Sequence, residues 1–266
     1  MTRTMNTILK ASFVAAAALC FTTLSAQNER PSGILSSTLR GLEYEVYAGV
    51  NIGGSSPLPL PAEIRQIKSY SPNLNPIIGT TITKWFDKGD AASWGVSVGL
   101  KLETKGMTTR ARVKNYGMEI INGGSLVSGN WTGNVFTKYH SSQLTFPITG
   151  VYRFSNRWKV NAGVYLSYAF SNTFDGEVYD GYLREGSPTG PKVTFEDGAK
   201  ATYNFSSNLR HFQWGAQAGA SWKALRHLNV NANLAWGLNG IFESSFKTIT
   251  FSMYSIYLNL GFGYIF

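Results

Sequence analysis

Apolar and polar residues alternate along eight stretches of this chain, which is the period of a strand rather than a helix. In residues 41–53, Leu42, Tyr44, Val46, Ala48, Val50 and Ile52 share one face, opposite Glu43, Glu45, Tyr47, Gly49 and Asn51. In residues 92–106, Trp94, Val96, Val98, Leu100 and Leu102 oppose Gly95, Ser97, Gly99, Lys101 and Glu103. Residues 75–86, 140–154, 157–170, 211–222, 228–240 and 252–266 complete the set. Short connections (Asp87–Ala91, Ser155–Arg157, Lys223–His227) alternate with long ones, roughly Gly54–Asn75, Gly106–Tyr139, Ser171–Arg210 and Ile241–Phe251. The pattern predicts an all-β fold: a transmembrane, antiparallel, up-and-down β-barrel of eight strands over residues 41–266, with both termini periplasmic.

Aromatic residues sharpen this reading. Trp85, Phe86, Trp94, Phe154, Trp158, Trp222, Tyr264 and Phe266 fall at strand ends beside the short turns, and Tyr168, Phe170, Phe212, Trp214, Trp236 and Tyr254 near the opposite ends. Two such girdles suit the two interfaces of a bilayer. The last stretch, ending in Tyr264 and Phe266, also resembles the terminal signal that outer-membrane barrels present to the barrel insertion machinery. Pro147 has no N–H to give a ladder, so a bulge or kink is expected in the fourth strand.

The N-terminus and the composition change the picture in one direction. Arg3 and Lys10 precede an apolar run and then "TTLSA", the order of a secretory signal peptide covering residues 1–26, followed by a periplasmic segment, 27–40. Cys20 follows Leu19, where lipidation asks for a small residue. Cleavage would remove the only cysteine, excluding disulfides and thiolate zinc sites, and lower the formal charge from +9 to +7 (22 basic against 15 acidic residues). Charged residues are 15% of the chain against 14% aromatic, a balance suited to an exported barrel.

Residues 139–170, "YHSSQLTFPITGVYRFSNRWKVNAGVYLSYAF", and 212–242, "FQWGAQAGASWKALRHLNVNANLAWGLNGIF", resemble the PorT-like family of small outer-membrane β-barrels. They share its Leu-x-x-Pro core, its Asn-Ala-Gly-x-Tyr strand and its Gly-x-x-x-Gly strand with a basic turn. Thr145 and Phe146 stand where the family carries an acidic and an apolar residue. The resemblance implies an outer-membrane location and a structural, adhesive or secretion-accessory role, with secretion-system components among the partners.

Three groups of residues are candidates for function. Glu43, Glu45, Lys101, Glu103, Arg153 and His211, with Gln143, Lys159, Gln213 and Gln217, face the lumen and would pair into a plug, since an eight-stranded barrel is barely wider than its own side chains. A proton or ion path is the alternative use of the same groups. Arg110, Arg112 and Lys114 share one face of a strand extension and could bind lipopolysaccharide phosphates or acidic glycans. A plain solvated hairpin is the competing reading. His140 and Ser142 share the outward face of the fourth strand. They resemble the pair in lipid A deacylase barrels, with Asp175 or Glu177 to orient the histidine. An ester hydrolase is thus the alternative to a non-enzymatic barrel. The acidic residues of the third connection lack EF-hand spacing, so no metal and no cofactor is expected. The expected partners are outer-membrane lipid and lipopolysaccharide, and not nucleic acid.

Overall fold

The computed structural model describes residues 42–86 and 93–266. The signal peptide, the segment 27–40 and the turn Asp87–Ala91 lie outside the described residues. Ten strands follow in order: β1 (Leu42–Pro57), β2 (Ile64–Ser71), β3 (Asn75–Trp85), β4 (Ser93–Asn122), β5 (Ser125–Arg153), β6 (Trp158–Glu185), β7 (Lys192–Asn204), β8 (Phe212–Lys223), β9 (Leu228–Gly237) and β10 (Met253–Ile265).

Eight of them close into a ring. β1 pairs with β3, then β4, β5, β6, β8, β9 and β10 follow, and β10 returns to β1 with Val46 opposite Tyr264 and Ile52 opposite Leu258. All pairings are antiparallel, and closure leaves the barrel without an open edge. The alternation read from the sequence sets the two faces. Glu45, Tyr47, Asn51, Lys101 and Gln143 are buried inside, while Val46, Ile52, Val98, Leu100, Leu144, Ile148, Leu166, Leu234 and Leu260 form an exposed outer belt. Trp94 and Tyr152 (4.4 Å between ring centroids) and Trp158 and Trp222 (6.3 Å) bound this belt at the short-turn end. Trp85 departs from the expected girdle. It shares the inward phase of Thr81 and Thr83, and its Nε1–H donates to Glu43 at 3.3 Å.

The long connections are not open loops. β4, β5 and β6 run on beyond the ring, β2 adds to β4, and β7 pairs with β6 and meets β4 at Ile121 opposite Thr202. The pairing β4–β5–β6–β7–β4 closes a second, smaller ring above the first. Bulges make this possible by shifting which residues point inward. In β6 the register slips at Phe170, so inward residues are odd below (Tyr165, Ala169) and even above (Phe174, Val178). In β4 the slip falls between Val113 and Tyr116, with Asn115 at φ 57°, and Met118 and Ile120 then turn inward.

The upper ring encloses an apolar core. Trp131, Tyr139, Phe174, Val178, Leu183, Phe195, Tyr203 and Phe205 meet Ile241, Phe242 and Ile249 from the β9–β10 connection. Arg210 ties that connection down, with Nε donating to the Gly240 carbonyl at 3.2 Å and Nη2 to the Phe242 carbonyl at 3.1 Å. Gly117 must be glycine here, because a Cβ would collide with the carbonyl oxygen of Thr248. At about 1.5–3 kcal/mol per large buried side chain, this core can hold the outer hairpins as one folded cap.

Pro147 produces no bulge. It remains opposite Tyr165 on β6, while on the β4 side pairing lapses at Gly99 and Leu100 and resumes in the same register at Lys101. Gly99 leaves room for the ring, whose Cγ would lie 3.2 Å from a Cβ there. The register of β5 against β6 shifts only higher up, between Ser142 and Gln143 and again between Thr132 and Asn134.

Candidate functional site in the lumen and the cap

At the short-turn end of the lumen, Glu43 lies between two cations. Arg153 Nη2 donates to its Oε2 at 2.8 Å and Lys159 Nζ to its Oε1 at 2.9 Å. Lys159 also donates to Glu45 at 3.1 Å, and Glu45 accepts from Asn229 at 3.2 Å and Asn231 at 2.6 Å. The Arg153 guanidinium rests 4.0 Å above the Trp85 ring, which fixes the planar cation against the wall.

Deeper in, Glu103 is fully enclosed. Thr145, Gln143 and Asn51 donate to it at 2.7, 2.9 and 3.0 Å, and Lys105 lies 3.4 Å away. Asn51 in turn donates to the Thr104 carbonyl at 2.8 Å and accepts from Asn259. The Lys105 ammonium stands 5.1 Å from the Tyr165 ring centre and 5.7 Å from that of Tyr257. A carboxylate taken out of water needs this many donors around it. Glu103 is among the inward candidates read from the sequence and Asn51 lies on the same inner face without being a candidate there, whereas Lys105 is not among them. The alternation of β4 carries on past Glu103, and Lys105 is the next inward position.

His211 is not in the lumen. β8 begins at Phe212, the preceding bend turns the imidazole outward, and its ring stacks 6.0 Å from exposed Tyr168 with Nδ1 2.7 Å from the Ala169 carbonyl oxygen. A period-two reading extended one residue past the strand start assigned it to the wrong face.

The cap presents the basic residues on its outside. Arg110, Arg112 and Lys114 are exposed on one face of β4, with the Arg110 guanidinium 5.0 Å from the Phe136 ring centre. β2 runs alongside, with Ser69 opposite Arg110 and Gln66 opposite Arg112, and adds exposed Arg65 and Lys68. On the β6–β7 side Glu177 pairs with Lys200 at 3.0 Å, and Asn134 donates to Asp180 at 3.4 Å. Within the cap, burial drives the phenols of Tyr116 and Tyr203 well above the ordinary tyrosine range. The Tyr203 hydroxyl meets Thr137 Oγ1 at 2.6 Å and donates to the Phe136 carbonyl at 3.0 Å.

His140 and Ser142 do meet: Nε2 lies 3.2 Å from Oγ. Among the described residues no carboxylate is hydrogen-bonded to the ring. Asp175 lies across from Lys138 in register, and Glu177 is engaged with Lys200. A nucleophile and base without an orienting acid is an incomplete constellation.

The sequence pattern of the outer membrane protein beta-barrel domain matches residues 25–243. The chain belongs to that family. It is an integral protein of the bacterial outer membrane, and the exposed apolar belt is the surface that meets lipid. Three solved structures of outer-membrane barrels are similar to it at low identity. Ail, the attachment invasion locus protein of Yersinia pestis, is 12% identical, with 85% of this chain and 99% of that one covered and a TM-score of 0.33. OprG of Pseudomonas aeruginosa is 14% identical, with 84% and 95% covered and a TM-score of 0.33. Neisserial surface protein A is 12% identical, with 85% and 97% covered and a TM-score of 0.24. No curated protein matches the sequence.

Proposed function

We propose that this barrel is a non-enzymatic surface protein: a plugged membrane anchor that holds up a folded cap, whose basic face binds anionic glycan or lipopolysaccharide phosphate in an adhesive or structural role. The observation that carries this reading is the row Arg110, Arg112, Lys114 on one exposed face of β4, with exposed Arg65 and Lys68 on the adjoining strand β2. Guanidinium groups held on a rigid strand suit bidentate contact with phosphate or sulfate. In this reading the short turns and both termini are periplasmic, and the paired lumen charges block diffusion. A secretion-accessory role of the PorT-like kind would use the same cap or the short-turn end.

The test is binding of the refolded protein to immobilised lipopolysaccharide with and without its phosphates. The wild type should bind the phosphorylated form in a salt-sensitive way, and replacing Arg110, Arg112 and Lys114 together by Ala should weaken binding at least about tenfold, the loss of about 1.4 kcal/mol or more. Equal binding by the triple variant would reject the basic face as the site. A second reading, an ester hydrolase acting on lipid A, rests on the 3.2 Å contact between His140 and Ser142.

A further inference from the structure

We infer that the lumen holds a binding site for a small monovalent inorganic anion of the halide class, with the Lys101 ammonium as its principal contact. Lys101 is 5% exposed, and among the described residues its Nζ has no carboxylate within salt-bridge reach. Its one close neighbour of note is the Tyr47 ring, 5.8 Å away at the centroid. An ammonium enclosed this far from bulk water needs acceptors for its three N–H bonds.

The charges around it leave one cation in excess. At the short-turn end Glu43 and Glu45 are answered by Arg153 and Lys159. Farther in, the carboxylate of Glu103 faces both Lys101 and Lys105, and the 3.4 Å contact goes to Lys105. That carboxylate already accepts from Asn51, Gln143 and Thr145 as well. Two ammonium groups thus share the one deep carboxylate, and Lys101 is the cation left without a salt bridge of its own.

The space is present. A cavity of about 70 Å³ lies against Lys101, lined by Tyr47, Thr81, Thr83, Ser97 and Thr149; Glu45 also reaches it, with its carboxylate already engaged by Lys159, Asn229 and Asn231. Hydroxyl groups can all turn a hydrogen toward an anion, and the Tyr47 hydroxyl is buried without a partner. Across the cavity the unpartnered carboxamide oxygens of Asn161 and Asn231 accept rather than donate, so the ion would share the space with water. A second cavity, about 200 Å³, opens at the short-turn mouth beside Arg153, Arg157 and Lys223 and shares Lys159 and Ser221 with the first. This basic entrance favours anions over cations.

The test uses the refolded full barrel in detergent. Crystals grown in bromide should show an anomalous peak in contact with Lys101 Nζ, and the peak should vanish in Lys101→Met. In solution, the unfolding midpoint of the wild type should be higher in chloride than in gluconate at equal ionic strength, with the difference lost in the variant. No peak at Lys101 in the wild type overturns the proposal, as does a peak that persists in Lys101→Met or a midpoint indifferent to chloride. The two wild-type measurements decide the matter even where the variant does not refold. None of them depends on the glycan-binding reading of the cap.

Discussion

Phe174 packs edge-on against Phe242, with ring centroids 4.9 Å apart and planes at 70°. The contact joins the upper part of β6 to the β9–β10 connection and fixes the roof of the cap. Phe174→Ala should cost the cap about 3–5 kcal/mol, the usual range for truncating a buried phenylalanine. Limited proteolysis of the inserted protein should then cut across the cap, while the barrel keeps its heat-modifiable gel migration. A cap as resistant as the wild type would show that this core does not hold it.

Because the cap is folded, protease on intact cells should reach only its tips. Cleavage is expected at Asn122–Ser125 and around Gly186–Gly190, where the β4–β5 and β6–β7 hairpins turn. Cutting near Lys223 or Arg226 in intact cells would reverse the proposed orientation.

The phenols of Tyr116 and Tyr203 are raised by burial, so the unfolded cap ionises first as pH rises. Cap stability should be complete below about pH 10, the ordinary tyrosine value, and fall above it, because there the folded state binds more protons than the unfolded one. Protease resistance followed against phenolate absorbance gives the readout. Loss of resistance well before any phenolate appears would assign the opening to other groups.

Glu103 and Lys105 are best probed as a pair. Glu103→Ala leaves a buried ammonium beside orphaned donors and should lower barrel stability by about 3–5 kcal/mol. Glu103→Gln with Lys105→Met should cost less than the two single changes added together, as expected for groups in contact. Additive losses in urea denaturation would mean that the 3.4 Å contact carries no coupling.

Replacing both His140 and Ser142 by Ala should leave the acyl pattern of lipid A unchanged by mass spectrometry. If wild-type cells carry lipid A lacking one acyl chain and Ser142→Ala restores it, the protein is an esterase.

The sequence by itself determined the membrane barrel, because a closed eight-stranded ring in lipid imposes one rule on every residue: in or out, at period two. Glu43, Glu45, Lys101, Glu103 and Arg153 could be placed on the inner face from that rule alone, and Tyr264 and Phe266 on the outer. The rule failed wherever the backbone slipped. His211 lies one residue before β8 begins and follows the bend instead. Trp85 shows the opposite: it obeys its inward phase, and reading it as an interface aromatic by residue type overrode the rule. Slippage of the backbone hid the cap as well. Bulges at Phe170 and near Asn115 reverse the phase of β6 and β4, so Phe174, Val178, Met118 and Ile120 look irregular in one dimension and form a core only when the second ring closes. Which of two inward lysines takes the single deep carboxylate is likewise a matter of position in space. Lys105 lies within 3.4 Å of Glu103 and Lys101 does not, a difference that only the fold decides.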